Sequence, residues 1–254
     1  LNVAGVAPII IYHAESDKVI TISGLGTWPK RVDPSIFEKE FSGSIPENLL
    51  RTVVTAEPAA WITALELYGT KTFSDVARAA IRFASEGFTM YSLMASLIKD
   101  NLTSFQRWDS TAEIYLPDGK PPTVGQLFVQ SDLGKSLQYM VDEEHAAKGD
   151  RLAGLAAARN AFYRGDIAQA IVKYHKEHGG YLREDDLAEF KVGIEDPIEI
   201  TYKGTNIYTC GPWCQGPVLQ QILKLLEDCN LTSLGHNSPS YVHTLVEATK
   251  LAFA

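Results

Sequence analysis

Trp61-Ile-Thr-Ala-Leu-Glu-Leu-Tyr-Gly-Thr70 and, after Lys71, Thr72-Phe-Ser-Asp-Val-Ala-Arg-Ala-Ala-Ile-Arg-Phe-Ala-Ser-Glu-Gly-Phe88 are the stretch on which the fold turns. In the first part Trp61, Leu65 and Tyr68 recur at helical spacing, which predicts a helix from Ala59 to Tyr68 with Gly69 as its stop. Thr72 and Asp75 make a capping-box pattern that opens a second helix. That helix is expected to bury Val76, Ala80, Phe83 and Ala84 and to end at Gly87.

Toward the N-terminus, Ile9–Tyr12 and Lys18–Ile22 are β-branched runs separated by Ala14, Glu15, Ser16 and Asp17, so the chain is expected to open in a hairpin. A loop, Gly24-Leu-Gly-Thr-Trp-Pro29, follows it. Toward the C-terminus, Leu93, Met94, Leu97 and Ile98 keep helical spacing, and Tyr115-Leu-Pro-Asp-Gly-Lys-Pro-Pro122 reads as a turn-rich surface loop. Helices are predicted after Ser131, with Leu133, Leu137 and Met140, and from Asp166 to His178, with Ile167, Ile171 and Tyr174. Ile198, Ile200 and Tyr202 alternate with polar residues, and Gly204 precedes Asn206–Cys210, so a second hairpin is expected. Val218, Ile222, Leu225 and Leu226 mark another helix. The last helix opens with Ser238 as cap and Pro239 in its first turn, and its stripe is Val242, Leu245, Val246, Thr249 and Phe253.

At 254 residues, 45% hydrophobic and 21% charged, the chain has enough material for a sizeable core, and no repeat or domain-scale linker interrupts it, so residues 1–254 are expected to form a single domain. The net charge of -8 and the lack of any Lys/Arg cluster interleaved with aromatics exclude a nucleic-acid footprint. The longest apolar run, Val6–Tyr12, falls far short of the roughly 20 residues that span a bilayer. Leu1-Asn-Val-Ala-Gly5 has no initiator Met and no basic n-region. The final helix is still in stride at Ala254, so the chain reads as a middle piece of something larger.

Three constellations carry chemistry-bearing residues. Cys210-Gly-Pro-Trp-Cys214 lies between a strand and a helix, where a redox pair belongs, but has three intervening residues rather than two. His175 and His178 are three apart at an exposed helix end and lack a third ligand, so no metal is expected. His243, Glu247 and Lys250 read as a solvated helix face. No Gly-x-Ser-x-Gly elbow and no phosphate-binding Gly loop is present. Residue patterns alone thus reach a soluble α/β domain with no named active site.

Several stretches together resemble the γ-glutamyltransferase family of N-terminal-nucleophile hydrolases: the Trp61–Thr70, Phe73–Val76 and Ala80–Phe88 segments, Tyr115 to Gly125, Ala161-Phe-Tyr-Arg-Gly-Asp-Ile-Ala168, Gly179-Gly-Tyr-Leu-Arg-Glu-Asp-Asp-Leu187, and Leu234–Tyr241 running into Glu247–Ala254. The match covers nearly the whole chain in family order. It implies an α+β fold, part of a four-layer αββα sandwich completed by a second chain. It also implies a proenzyme that cuts itself before a Thr, which becomes the N-terminal nucleophile of a small subunit. On that reading this chain is the large subunit and carries no catalytic residue. It works without a cofactor or metal, and its partners are the small subunit from the same precursor and a small-molecule amide. No nucleic-acid or membrane partner is expected. The alternative is a non-catalytic member that keeps the fold for binding. Family members are often exported, so the resemblance points toward a periplasmic or secreted location.

The resemblance also assigns the substrate-binding residues as Leu25, Gly26, Thr27 and Trp28. Where the family has Gly-Arg-Glu-Thr-Ala-Pro after the first hairpin, this chain has Gly24-Leu-Gly-Thr-Trp-Pro29, so Leu25 stands in place of the Arg that clamps a glutamyl α-carboxylate. Where the family has Pro-Pro-Ser-Ser-Gly-Gly, this chain has the bulkier Pro212-Trp-Cys-Gln-Gly-Pro217. The family's Gly-rich opening loop is reduced to Val3-Ala-Gly-Val-Ala-Pro8. Lys30 and Arg31 are the candidates to supply the missing charge.

Overall fold

A computed structural model describes Val3 and residues 5–254; Leu1, Asn2 and Ala4, which belong to the internal-looking start and the shortened opening loop, lie outside the described residues. In chain order the elements are β1 (Ala7–His13), β2 (Lys18–Gly24), α1 (Ser35–Phe41), α2 (Glu57–Tyr68), α3 (Phe73–Glu86), β3 (Phe88–Thr89), α4 (Ser92–Asp100), α5 (Leu102–Gln106), α6 (Asp109–Tyr115), β4 (Leu127–Phe128), α7 (Ser131–Ala146), α8 (Arg151–Tyr163), α9 (Asp166–Glu177), α10 (Glu184–Ala188), β5 (Ile194–Glu195), β6 (Ile198–Tyr202), β7 (Thr205–Thr209), α11 (Gly216–Leu225) and α12 (Pro239–Phe253). Helices and antiparallel strands are thus mixed, as an α+β fold requires. The chain gathers into two compact units, one built on Gly69–His178, the other on the segment ending at Tyr68 together with Gly179–Ala254.

In the second of these units β1 and β2 pair antiparallel from Ala7↔Gly24 to His13↔Lys18, and β5 adds to β2 through Thr21↔Glu195 and Ile22↔Ile194. Side chains alternate across a strand, so the complete burial of both Thr21 and Ile22 shows that β2 is covered on both faces. The sheet is flanked by α2, which buries Pro58, Ala59, Ala60 and Ile62. The expected helix is present and ends at Tyr68, but its inner face differs: Trp61, Leu65 and Tyr68 are only half-buried. Two adjacent alanines, not the large side chains, let the helix backbone approach closely.

The second hairpin, β6–β7, runs in register from Ile198↔Thr209 to Tyr202↔Thr205. Lys203 and Gly204 both take positive φ, 46° and 81°, the turn that matches the twist of a two-residue hairpin. Against this hairpin lies α11, whose buried Gln220 donates to the carbonyls of Ile198 at 2.7 Å and Ile207 at 3.3 Å. The neighbouring α12 is capped as expected, Ser238 Oγ accepting from Tyr241 N–H at 3.1 Å. Its expected stripe is not a buried one. Only Ala248 is buried, while Val242, Val246, Leu251 and Phe253 are exposed.

In the unit built on Gly69–His178, α3, α7, α8 and α9 pack in succession. The Thr72–Asp75 capping box forms in both directions at 3.1 Å. The face of α3 is rotated from the expected one: Phe73, Ala77 and Ala84 are buried, whereas Val76 and Phe83 are 49% and 43% exposed. The rotation follows from close approach to α7, where Gly134 packs on Ser85 with no room for a Cβ. Helix α8, rich in alanine, carries no apolar stripe that periodicity could find, yet it buries Leu155, Ala158, Ala161, Phe162 and Tyr163. In α9 the buried positions are Ala168, Val172 and His175. Residues between β3 and β4 build their own small core of Met90, Ala95, Ile98, Leu116 and Phe128. There Leu93 and Leu97 of the predicted periodic set face solvent. The expected turn after Tyr115 forms at Asp118 and Gly119, both at positive φ. Among the described residues, no helix is long and apolar enough to cross a membrane.

Candidate functional site

The loop carrying Leu25, Gly26, Thr27 and Trp28 leaves the end of β2 and is tied down along its length. On its entry side, Ser23 N–H donates to the Gly193 carbonyl at 2.9 Å and Gly193 N–H donates back to Ser23 Oγ at 3.0 Å. Leu25 N–H turns back onto the Ser23 carbonyl, and the Leu25 side chain is half-buried. At Gly26 a Cβ would fall on the Val54 carbonyl oxygen, so only glycine lets the loop lie against the Val53–Val54 backbone. Val54 N–H donates to the Thr27 carbonyl at 2.9 Å. Trp28, 41% exposed, stacks obliquely on Phe37 of α1 with ring centroids 5.6 Å apart, and Pro29 beside it is buried.

The exit side is held by α10. The Asp186 carboxylate, 6% exposed, accepts the Lys30 backbone N–H through Oδ1 at 2.9 Å and the Arg183 N–H through Oδ2 at 2.9 Å. The Lys30 ammonium donates to Glu189 at 2.7 Å and Asp185 at 3.2 Å. Hydrogen bonds from Glu189 and then Asp185 raise the Lys30 pKa, and Lys30 in turn lowers that of Asp185. Of the two cations considered as replacements for the missing Arg, Lys30 is therefore already committed to two carboxylates. Arg31 is exposed and makes no ion pair among the described residues.

The bulkier second loop is also anchored. The Trp213 indole N–H donates to Glu195 Oε2 at 2.7 Å, fastening it to β5. Cys210 and Cys214 are free thiols. Burial, and then the neighbouring Cys214, push the Cys210 thiol up, which is opposite to the depressed pKa of a redox nucleophile. Cys214 Sγ accepts from Gly216 N–H at 3.4 Å and donates to the Gly211 carbonyl at 3.4 Å, a local brace of the turn into α11.

The reading of His175 and His178 together as an exposed helix end is corrected: His175 is buried within α9, and only His178, at its C-terminal cap, is exposed, stacked on Tyr174 at 4.0 Å. Among the described residues no group of three His, Cys, Asp or Glu side chains could hold a metal ion. Glu247 and Lys250 form a surface ion pair at 2.8 Å, with Glu247 lowered by that contact. A groove of about 500 Å³ lined by His13, Ser16, Lys18, Tyr68 and Glu195 lies at the turn end of the first hairpin. It is at the opposite end of β2 from Leu25.

Sequence reasoning named the loop but missed what holds it. Asp186 lies three residues after a cap position held by Arg183 rather than by Ser or Thr, and gives no local signal that one of its oxygens reaches residue 30. Ser23, Val54 and Glu195 likewise act on partners distant in sequence.

Comparison with known proteins bears on this arrangement. The chain is 30% identical over 246 residues to an acylase proenzyme, Acylase ACY 1, of a Pseudomonas species, covering 92% of this chain and 42% of that protein. It is 29% identical to a glutathione hydrolase-like proenzyme, YwrD, of Bacillus subtilis, covering 96% and 44%. The chain thus spans less than half the length of these curated relatives. The solved γ-glutamyltranspeptidase of Helicobacter pylori superposes with a TM-score of 0.86 at 25% identity, covering 99% of this chain and 70% of that one. The expected N-terminal-nucleophile-hydrolase type of α+β fold is therefore the fold observed. With residues 4–254 also matching the family model described as gamma-glutamyltranspeptidase, this chain belongs to the gamma-glutamyltranspeptidase family.

Proposed function

We propose that the chain is the large subunit of a two-chain amidohydrolase or acyltransferase whose nucleophile, an N-terminal Thr, belongs to a small subunit cut from the same precursor. The Thr hydroxyl attacks the amide carbonyl and passes its proton to its own α-amino group. The resulting α-ammonium returns that proton to the departing amine as the C–N bond breaks. Water or an acceptor amine then attacks the acyl-Thr ester, its proton taken by the α-amino group and returned to the Thr oxygen as the acyl group is released. Leu25, Gly26, Thr27 and Trp28 line the acyl side of the pocket. Support for a two-chain enzyme comes from the word proenzyme in the names of both curated relatives. The exposed apolar side chains of α12, Val242, Val246, Leu251 and Phe253, favour a covering partner.

The observation that carries the substrate class is the ion-paired state of Lys30. A bidentate Arg would neutralise a substrate α-carboxylate, but Leu25 has no charge and Lys30 is held by Glu189 and Asp185. A carboxylate beside Leu25 would lose its hydration with Lys30 already paired and only the exposed Arg31, six residues on, left to meet it, so the pocket favours an acyl group that is neutral there. Of the two relatives, named as an acylase and a glutathione hydrolase-like protein, the acylase is the better guide to the substrate of such a pocket.

The test is to assay the intact two-chain protein with γ-glutamyl and uncharged acyl anilides, in wild type and Leu25→Arg. The neutral anilide is expected to be preferred by about a hundredfold in kcat/KM, and Leu25→Arg to narrow that gap. Efficient γ-glutamyl turnover by the wild type, unimproved by Leu25→Arg, would show that another residue holds the carboxylate. No turnover of any anilide would favour a non-catalytic binding role.

A further inference from the structure

From the hydrogen bonding of Asp186 we infer that this residue is a positioning residue for the acyl-binding loop, holding Leu25–Trp28 in place through the backbone of Lys30. The inference rests on the proposed acyl-site role of that loop.

A carboxylate that is 6% exposed is costly to bury unless its oxygens are satisfied, and both oxygens of Asp186 are taken by backbone N–H groups. One of these bonds is local. The Arg183 N–H is three residues upstream, where the bond closes half a capping box at the start of α10. The other is not needed by α10 at all. It spans 156 positions to Lys30 N–H, two residues beyond Trp28. That contact therefore spends a charge-assisted bond on the loop rather than on the helix that supplies it. The entry of the same loop is fixed by Ser23 and Gly193, and its middle by Val54. Removing the Asp186 contact would leave the loop pinned by backbone bonds at its entry and middle, with its exit held only by the Trp28–Phe37 ring contact and the exposed Lys30 pairs.

The outer ion pairs provide an internal control. Lys30 Nζ meets Asp185 and Glu189 on the surface, where all three side chains are more than half exposed. Pairs of that kind contribute little. The backbone bond and the side-chain pairs of the same residue can thus be removed separately. Lys30→Met deletes the pairs and keeps the N–H, whereas Lys30→Pro deletes both, and Asp186→Asn leaves the pairs while turning one acceptor into a donor that faces an N–H.

The experiment uses the intact two-chain protein. Hydrogen exchange read by mass spectrometry on peptides covering residues 24–32, together with KM and kcat for a neutral acyl anilide, is measured in wild type and the three variants. The expected result for Asp186→Asn and Lys30→Pro is about tenfold faster exchange in residues 25–30 and about tenfold higher KM, with kcat within twofold, the size of effect carried by one charge-assisted hydrogen bond. Peptides of the first hairpin keep their protection, and Lys30→Met behaves as wild type. Unchanged exchange of the loop in both Asp186→Asn and Lys30→Pro overturns the inference. So does a Lys30→Met variant that loosens the loop equally, since the surface pairs would then be the tether. A faster-exchanging loop with unaltered KM overturns the link to substrate binding. If the wild type turns over no anilide, the proposed activity has failed, and the exchange arm alone still decides whether Asp186 holds the loop. Should Asp186→Asn not fold, Lys30→Pro against Lys30→Met reads the same backbone bond with Asp186 intact.

Discussion

A thiol is reactive in proportion to its thiolate fraction, and at Cys210 burial and the adjacent Cys214 both act against the thiolate. The sign is plain: a raised pKa leaves less anion at any pH below it. Alkylation of Cys210 by iodoacetamide near pH 7 should therefore be slower than that of a free cysteine, and should accelerate only as pH rises above the ordinary thiol range. Fast labelling at neutral pH, followed by peptide mass mapping, would contradict this environment. The sequence could flag the pair but not settle its chemistry, because spacing says nothing about burial. The same holds for His175 and His178, which look alike in sequence. One turn of helix places the first inside and the second against Tyr174 in solvent. Leu25 is the opposite case. That it stands where the family has an Arg rests on the resemblance alone, but the commitment of Lys30 elsewhere required Asp185 and Glu189, residues about 155 positions away.

At the scale of elements, two devices start helix α3, and they differ in depth. Thr72 supplies an exposed capping box, while the buried Glu144 of α7 accepts Phe73 N–H and Ser74 N–H, each at 2.7 Å. Glu144→Ala would strand the buried Phe73 donor and the half-buried Ser74 donor and is expected to cost about 2–4 kcal/mol, against about 1 kcal/mol for Thr72→Ala. Denaturant midpoints of the two variants check the order, and equal losses would mean that Glu144 is not the main anchor of the helix end. Local signals of this kind explain what was legible. The capping box at Thr72, the Ser238-Pro239 start of α12 and both hairpins follow from backbone chemistry within a few residues. The buried faces did not follow. In α2, α3 and α9 the inner positions are often alanine, so the largest apolar side chains mark where a helix is without marking which side faces in. Helix α8 escaped for the same reason, its alanines leaving no stripe.

For the molecule as a whole, α12 and α11 expose large apolar side chains, Leu219, Leu225, Val242, Val246, Leu251 and Phe253, which are the natural surface for a partner chain to cover. Expressed by itself, the 254-residue chain should bind a hydrophobic dye and associate, and co-expression with the proposed small subunit should suppress both. A monodisperse, dye-silent isolated chain that unfolds cooperatively would count against the large-subunit reading. The whole account depends on a nucleophile supplied by the second chain. The most direct measurement is N-terminal sequencing and intact mass of every chain in the protein purified after full-length expression. Two chains from one precursor are expected, the second beginning with Thr, with the acyl group of a neutral anilide trapped on that Thr at short times. A single uncleaved chain, or a second chain beginning with a residue that has no nucleophilic side chain, would contradict it.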